Sequence, residues 1–298
     1  MRTAGAGGDV PALGPIWRVR FGAADRMAVQ EAAARAAETD PAPFYARFAA
    51  LPQTLGGRFI SADAFKETFD AYQGEPAHHQ RYAAPLHNTC AALANAWLRR
   101  VLRQPHAPGG DTVIFITGIP GAGKTSAVLV AAWGADGVWP PRSQTGGLPL
   151  PGVHALYEGP LVKPETALSE IRDALDAGLR PVIIALHPAP EQALENTLRR
   201  FAVIGRGASI HNMARLQGNL PEGLAAVHAA FGDAVALRII DRRNFDHPKP
   251  LAGWAHLPVL TSEGNREHIQ KRLEKHLDAL RGQLPAAAWR QAGGFAPE

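Results

Sequence analysis

The run Thr112-Val113-Ile114-Phe115-Ile116-Thr117 and the residues that follow it constrain this chain more than any other segment. An apolar, β-branched stretch of that length reads as a buried strand, and it runs directly into Gly118-Ile119-Pro120-Gly121-Ala122-Gly123-Lys124-Thr125, which matches G-x-x-x-x-G-K-[ST]. Small residues in this pattern let successive backbone N–H groups curl around an anion. Residues 124–133 then read as a helix whose N-terminus faces the same point. The expected nucleotide site is Gly118, Ile119, Pro120, Gly121, Ala122, Gly123, Lys124, Thr125 and Ser126. Lys124 would reach the β- and γ-phosphates of ATP, and the Thr125 hydroxyl would ligate Mg²⁺.

The rest of the chain reads as a sheet built around that strand. Strands are expected at 153–158, 181–187 and 235–241, alternating with helices at 164–177, 190–202, 210–217 and 221–231, a rhythm that implies parallel strands with crossover helices. Upstream, 27–38 and 44–51 read as short helices, 58–61 as a strand, 62–72 as a helix with Phe65, Phe69 and Tyr72 on one face, and 83–103 as a long amphipathic helix. Residues 134–152 form a Gly/Pro loop, 264–281 a closing helix and 282–298 a tail read as partly mobile. The expected fold class is α/β, a P-loop kinase-like parallel sheet flanked by helices. It divides into an N-terminal helical extension (1–55), a core (56–250) and a C-terminal helix and tail (251–298).

Composition narrows the function classes. A chain of 298 residues with 46% hydrophobic content can fill a core, and a single cysteine, Cys90, excludes an internal disulfide. No run approaches the roughly 18 apolar residues of a membrane span. Net charge is +4, yet only 19% of residues are charged and the basic ones are scattered, so no nucleic-acid stripe is evident. These features suit a cytoplasmic protein with no membrane or nucleic-acid partner. The chain has no Asp-x-x-Gly or Asn-Lys-x-Asp guanine signature. Its strands after the phosphate loop end in Glu158-Gly159 and His187-Pro188 rather than in the acidic residue of an ATP-driven motor.

Several pieces taken together resemble the zeta-toxin family of P-loop kinases. They are Gly-Ile-Pro-Gly-Ala-Gly-Lys-Thr, the strand ending Tyr157-Glu158-Gly159, the helix before Gly178, the strand 182–186, Thr197-Leu198-Arg199-Arg200-Phe201, and Gly205-Arg206 ahead of Asn219-Leu220-Pro221. In that family the strand bearing the catalytic aspartate follows the phosphate-loop helix, where this chain has its Gly/Pro loop and only Asp136. Phe59-Ile60-Ser61-Ala62-Asp63-Ala64-Phe65-Lys66 looks like the family's strand-Asp-x-Phe-Lys element, and Tyr82, His87 and Asn88 lie in a helix similar to the one that follows it. The resemblance, over about residues 56–242, therefore implies a segment transposed upstream. It also implies ATP- and Mg²⁺-dependent transfer to a small-molecule hydroxyl, with a nucleotide sugar such as UDP-N-acetylglucosamine as favoured acceptor. A toxin role with an antidote protein as partner would follow from the same resemblance.

Each candidate residue has a plainer role beside the catalytic one. Asp63 can cap the helix after it as well as accept the proton of an attacking hydroxyl. Arg200 and Arg206 suit the charge of a transferring phosphoryl group, whereas Arg172, Arg199 and Arg215 read as a solvated face. Glu158, Lys66 and His87 are expected at the substrate, with structural or surface roles as their alternatives. The other histidines read as exposed and Cys90 as a buried thiol. Other hydroxyl acceptors (NAD, a nucleoside, an antibiotic) and a nucleotide-dependent regulatory module stay open on the residues alone.

Overall fold

The buried strand before the glycine-rich turn becomes the middle of a sheet in the computed structural model, which describes residues 13–106, 109–124 and 152–293. This strand, β2 (Thr112–Thr117), is flanked by β3 (Val153–Glu158) and β4 (Arg180–Pro188). β1 (Phe59–Ser61) lies outside β3, and β5 (Ala236–Arg242) and β6 (Lys249–Ala252) continue beyond β4. The order is β1-β3-β2-β4-β5-β6. All neighbours pair in parallel except the β5–β6 edge. β1 precedes β2 in the chain, yet it sits in the same parallel sheet with β3 between them.

Alternation along the strands explains the layers. Val113 and Phe115 point into one core and Ile114 and Ile116 into the other, as do Ala155 and Tyr157 against Leu156 in β3. The first core is covered by α1 (Ala24–Thr39), α2 (Ala42–Ala50), α4 (Pro76–Leu102) and α5 (Pro164–Asp176). α6 (Pro190–Ile204), α8 (Arg266–Leu280) and α9 (Ala286–Gly293) cover the second. α7 (Ile210–Phe231) serves both, with Met213 and Ala214 on one side and Leu220, Leu224 and Val227 on the other. No helix among the described residues is long and apolar enough to cross a membrane.

Several boundaries differ from the sequence reading. The helix expected over 62–72 stops early: α3 spans Ala62–Lys66, and the chain reaches a 3₁₀ turn at Asp70–Tyr72. The Thr68 hydroxyl donates to the Phe65 carbonyl at 2.7 Å, and the Thr68 and Phe69 amides make three-residue bonds, which tighten the chain out of an α-helix. Phe65, Phe69 and Tyr72 are buried all the same. The cap of α3 is Ser61, whose Oγ accepts from the Ala64 amide at 3.1 Å, not Asp63. The long helix starts at Pro76, well before 83, because proline is tolerated in a first turn. The helices expected at 210–217 and 221–231 are one. Pro221 forfeits one backbone bond, but the burial of Leu220, Leu224 and Val227 outweighs it. Part of the tail expected to be mobile forms α9, pinned by buried Ala288 and Ala292. His154 and His187 are buried rather than exposed.

Candidate active site

β2 ends at Thr117, and the chain turns through the glycine-rich segment under a clamp from two other elements. Gly121 has φ 80° and a Cβ there would overlap the Ala193 carbonyl of α6; Gly123 has φ 75° and the Arg242 guanidinium occupies its Cβ position. Any side chain at either position would force the clamp open. The Asn196 amide donates to the Gly121 carbonyl and Arg242 Nη1 to the Ala122 carbonyl, each at 3.0 Å. Buried Ile119 and Ala122 anchor the turn from below. Lys124 Nζ donates to the Gly118 and Ile119 carbonyls at 3.0 and 3.2 Å and lies 3.3 Å from Glu158 Oε1. Thr125, Ser126 and Asp136, with most of the helix expected at 124–133 and of the Gly/Pro loop after it, lie outside the described residues.

Sheet register brings β1 to the same end. Ser61 pairs with Glu158, and Glu158 with Ile116, so the three strands finish level. Two interstrand spacings of about 4.8 Å separate β1 from β2. Asp63 follows β1 in the first turn of α3. That turn is fixed by Phe65, whose ring stacks on Phe48 with centroids 3.9 Å apart. Asp63 Oδ1 accepts from Lys66 Nζ at 2.7 Å, and Oδ2 lies 3.9 Å from Arg200 at the end of α6. The charge of Lys66 holds the Asp63 carboxyl well below the usual carboxylate range against the opposing effect of burial, with help from Arg200 and Arg206. Its side chain keeps 52% of its surface open although protein surrounds it, the condition of a group on the wall of a cleft.

Arg206 follows Gly205, which ends α6 in the left-handed region with φ 71°. Its guanidinium pairs with Glu67 and lies over the ring of buried Tyr72, 5.5 Å from the centroid. His87, on α4, is exposed. The protein around it still strips water from the ring, which lowers its pKa; Lys66 and Arg215 add to that fall and Asp63 opposes it. Arg215 is half-buried and bonded to Asn212 Oδ1 of its own helix at 2.8 Å, so it is not fully solvated. Arg199 is exposed and Arg172 lies over the Phe231 ring. Cys90 is buried, which pushes its thiol up.

The geometry thus joins Asp63, Lys66 and Arg200 in one group, Lys124 and Glu158 in a second, and Arg206 with Glu67 in a third, all on the carboxyl-end side of β1, β3 and β2. Glu67, Tyr72, Asn196 and Arg242 were not anticipated. Arg242 ends β5 and was findable by the rule that open α/β sheets bind ligands beyond strand carboxyl ends. Glu67 stands four residues after Asp63, on the same side of a helical turn. Neither a protein-family model nor a curated protein sequence matches the chain.

Proposed function

We propose that this chain is an ATP- and Mg²⁺-dependent phosphotransferase that moves the γ-phosphate onto a hydroxyl of a small molecule. The observation that carries the reading is the level finish of β1, β3 and β2, which brings the Lys124–Glu158 pair on the glycine-rich turn and the ionised Asp63 to the same end of the sheet, where Arg200 lies 3.9 Å from Asp63 and Arg206 pairs with Glu67 four residues on. Phosphoryl transfer asks little covalent chemistry of a protein; it needs placement and compensation of charge. Lys124 compensates the β- and γ-phosphates once they displace the Gly118 and Ile119 carbonyls from its ammonium. Asp63, held ionised by Lys66, accepts the proton of the attacking hydroxyl, and Arg200 and Arg206 take up charge on the transferring group. Mg²⁺ is held by phosphates plus one or two protein oxygens rather than by a full cage, and the Glu158 carboxylate beside Lys124 is a donor of that kind. Bound there, the ion would supply positive charge that offsets the charge of the phosphates.

The resemblance to zeta-toxin kinases favours a nucleotide sugar such as UDP-N-acetylglucosamine as acceptor. The test is incubation with ATP, Mg²⁺ and a panel of UDP-sugars, nucleosides, dinucleotides and aminoglycosides, read by mass spectrometry. The expected result is one acceptor class gaining a phosphate. Nucleotide binding without transfer to any member would replace this reading with that of a regulatory module.

A further inference from the structure

Arg206 carries a role in the proposed chemistry but has no regular element to hold it. Gly205 ends α6, and the segment that follows runs past Gln291 and Phe201 at Gly207 and buries Ala208 in the second core before the next helix begins, so Arg206 itself lies in no helix or strand. Gly205 packs on the Pro76 carbonyl, and His79 Nδ1 lies 2.8 Å from the Ile204 carbonyl, so the backbone is placed. The guanidinium is placed separately. Tyr72, fully buried, offers a rigid ring whose face attracts the cation, but a cation–π contact does not set the direction of its N–H groups. Glu67 supplies the missing constraint. It is the C-cap of α3, so its own backbone is set by the same short helix that carries Asp63, and its carboxylate takes Nη2 of Arg206. Among the described residues Glu67 is the one carboxylate that pairs with Arg206.

We propose that Glu67 is a positioning residue, which turns Arg206 so that the rest of its guanidinium faces the phosphoryl group passing to the hydroxyl at Asp63. The inference rests on the phosphotransferase reading above. It ties two parts of the site to one five-residue helix: α3 sets the base from its first turn and the arginine from its last. Both partners are about three-quarters covered (side chains 22% and 24% exposed), so the pair is shielded enough to hold a direction. Glutamine keeps the shape of Glu67 and removes only its charge, so Glu67→Gln disturbs the packing of this covered pair least. Loss of that charge should appear in turnover before it appears in folding.

The experiment measures ADP formation from ATP and Mg²⁺ with the acceptor found by the panel, for the full chain and for Glu67→Gln, Glu67→Asp, Arg206→Ala and the double variant Glu67→Gln/Arg206→Ala. Glu67→Gln should lower kcat about 10- to 100-fold, the scale of a misplaced catalytic group, with KM for ATP within about threefold. Glu67→Asp, which keeps the charge on a shorter arm, should recover part of the loss. The double variant should be no slower than Arg206→Ala alone, because a residue that acts through Arg206 has nothing left to position. Wild-type kcat in Glu67→Gln, or losses that multiply in the double variant, would overturn the proposal. So would a fall in kcat matched by a fall in thermal midpoint in both Glu67 variants. A wild-type chain that transfers no phosphate to any acceptor would instead remove the phosphotransferase reading, and the role of Glu67 with it.

Discussion

β3 ends on two consecutive residues whose side chains enter opposite chemistry. Glu158 lies beside the glycine-rich turn, its side chain about a quarter exposed (26%) and 3.3 Å from the Lys124 ammonium. Tyr157 points the other way, into the core between α4 and α5, where its hydroxyl lies 2.9 Å from Oε1 of buried Glu170 and also contacts Asn95 Oδ1. One phenolic hydrogen cannot serve both acceptors. A proton on Glu170 resolves the conflict, with Glu170 donating to Tyr157 and Tyr157 to Asn95. Burial pushes the Glu170 carboxyl up to about 7. Asp63, in the cleft, is held low by Lys66. The protein thus places a carboxyl group on each side of one sheet and drives them in opposite directions, by cations on the wet side and by burial on the dry side. Charge is kept where chemistry is proposed and removed where packing is needed.

The largest effect should come from Lys124→Ala on the wet side. Phosphotransfer should vanish while circular dichroism and the thermal midpoint stay near wild type, because the ammonium meets loop carbonyls and Glu158 rather than core side chains. Unchanged turnover in that variant would break the contrast at its root. Asp63→Asn comes next: kcat should fall by about 10²- to 10⁴-fold, the usual contribution of a positioned base. A fall in ATP affinity with no change in kcat would instead make Asp63 a binding group.

The dry side gives the smallest effect and a distinct sign. Because the folded state raises the Glu170 pKa from 4.5 to about 7, that carboxyl contributes its full stability below the ordinary range, and the contribution is lost as pH rises through about 7. Glu170→Gln should flatten the decline in thermal midpoint between about pH 5 and about pH 8, a difference of roughly 1–3 kcal/mol at the upper end, with kcat unchanged. Asp63 has the reverse linkage: its depressed pKa contributes stability that is present in full above the usual carboxylate range and is lost as pH falls below it. A decline equally steep in wild type and Glu170→Gln would show that Glu170 is ionised in the fold.

Features carried by local pattern were legible in the sequence. The apolar runs of β2, β3 and β4, the glycine-rich turn and an aspartate just past a short strand all follow from residue types within a few positions of one another. Features made by distant partners were not. Arg206 could be picked as a cation near phosphate, but nothing near it in the chain points to Glu67 and Tyr72, which reach it only when α6 docks beside α3. Arg242 was missed because its contact with the Ala122 carbonyl crosses the end of β4. Arg215 looked solvated because its partial burial comes from packing between elements that residue type alone does not show. The break after α3 was hidden for a related reason: a buried Thr68 hydroxyl turns back on the Phe65 carbonyl, where helical periodicity alone would carry the helix on.

The most direct test of the account is a crystal structure of the chain with Mg²⁺ and a non-hydrolysable ATP analogue. The γ-phosphate should lie on the Lys124 ammonium, with the Asp63 carboxylate within about 10 Å of it, close enough for a hydroxyl to bridge the two after modest closure. A triphosphate bound away from the glycine-rich turn, or an Asp63 carboxylate farther than about 10 Å from the γ-phosphate, would contradict it.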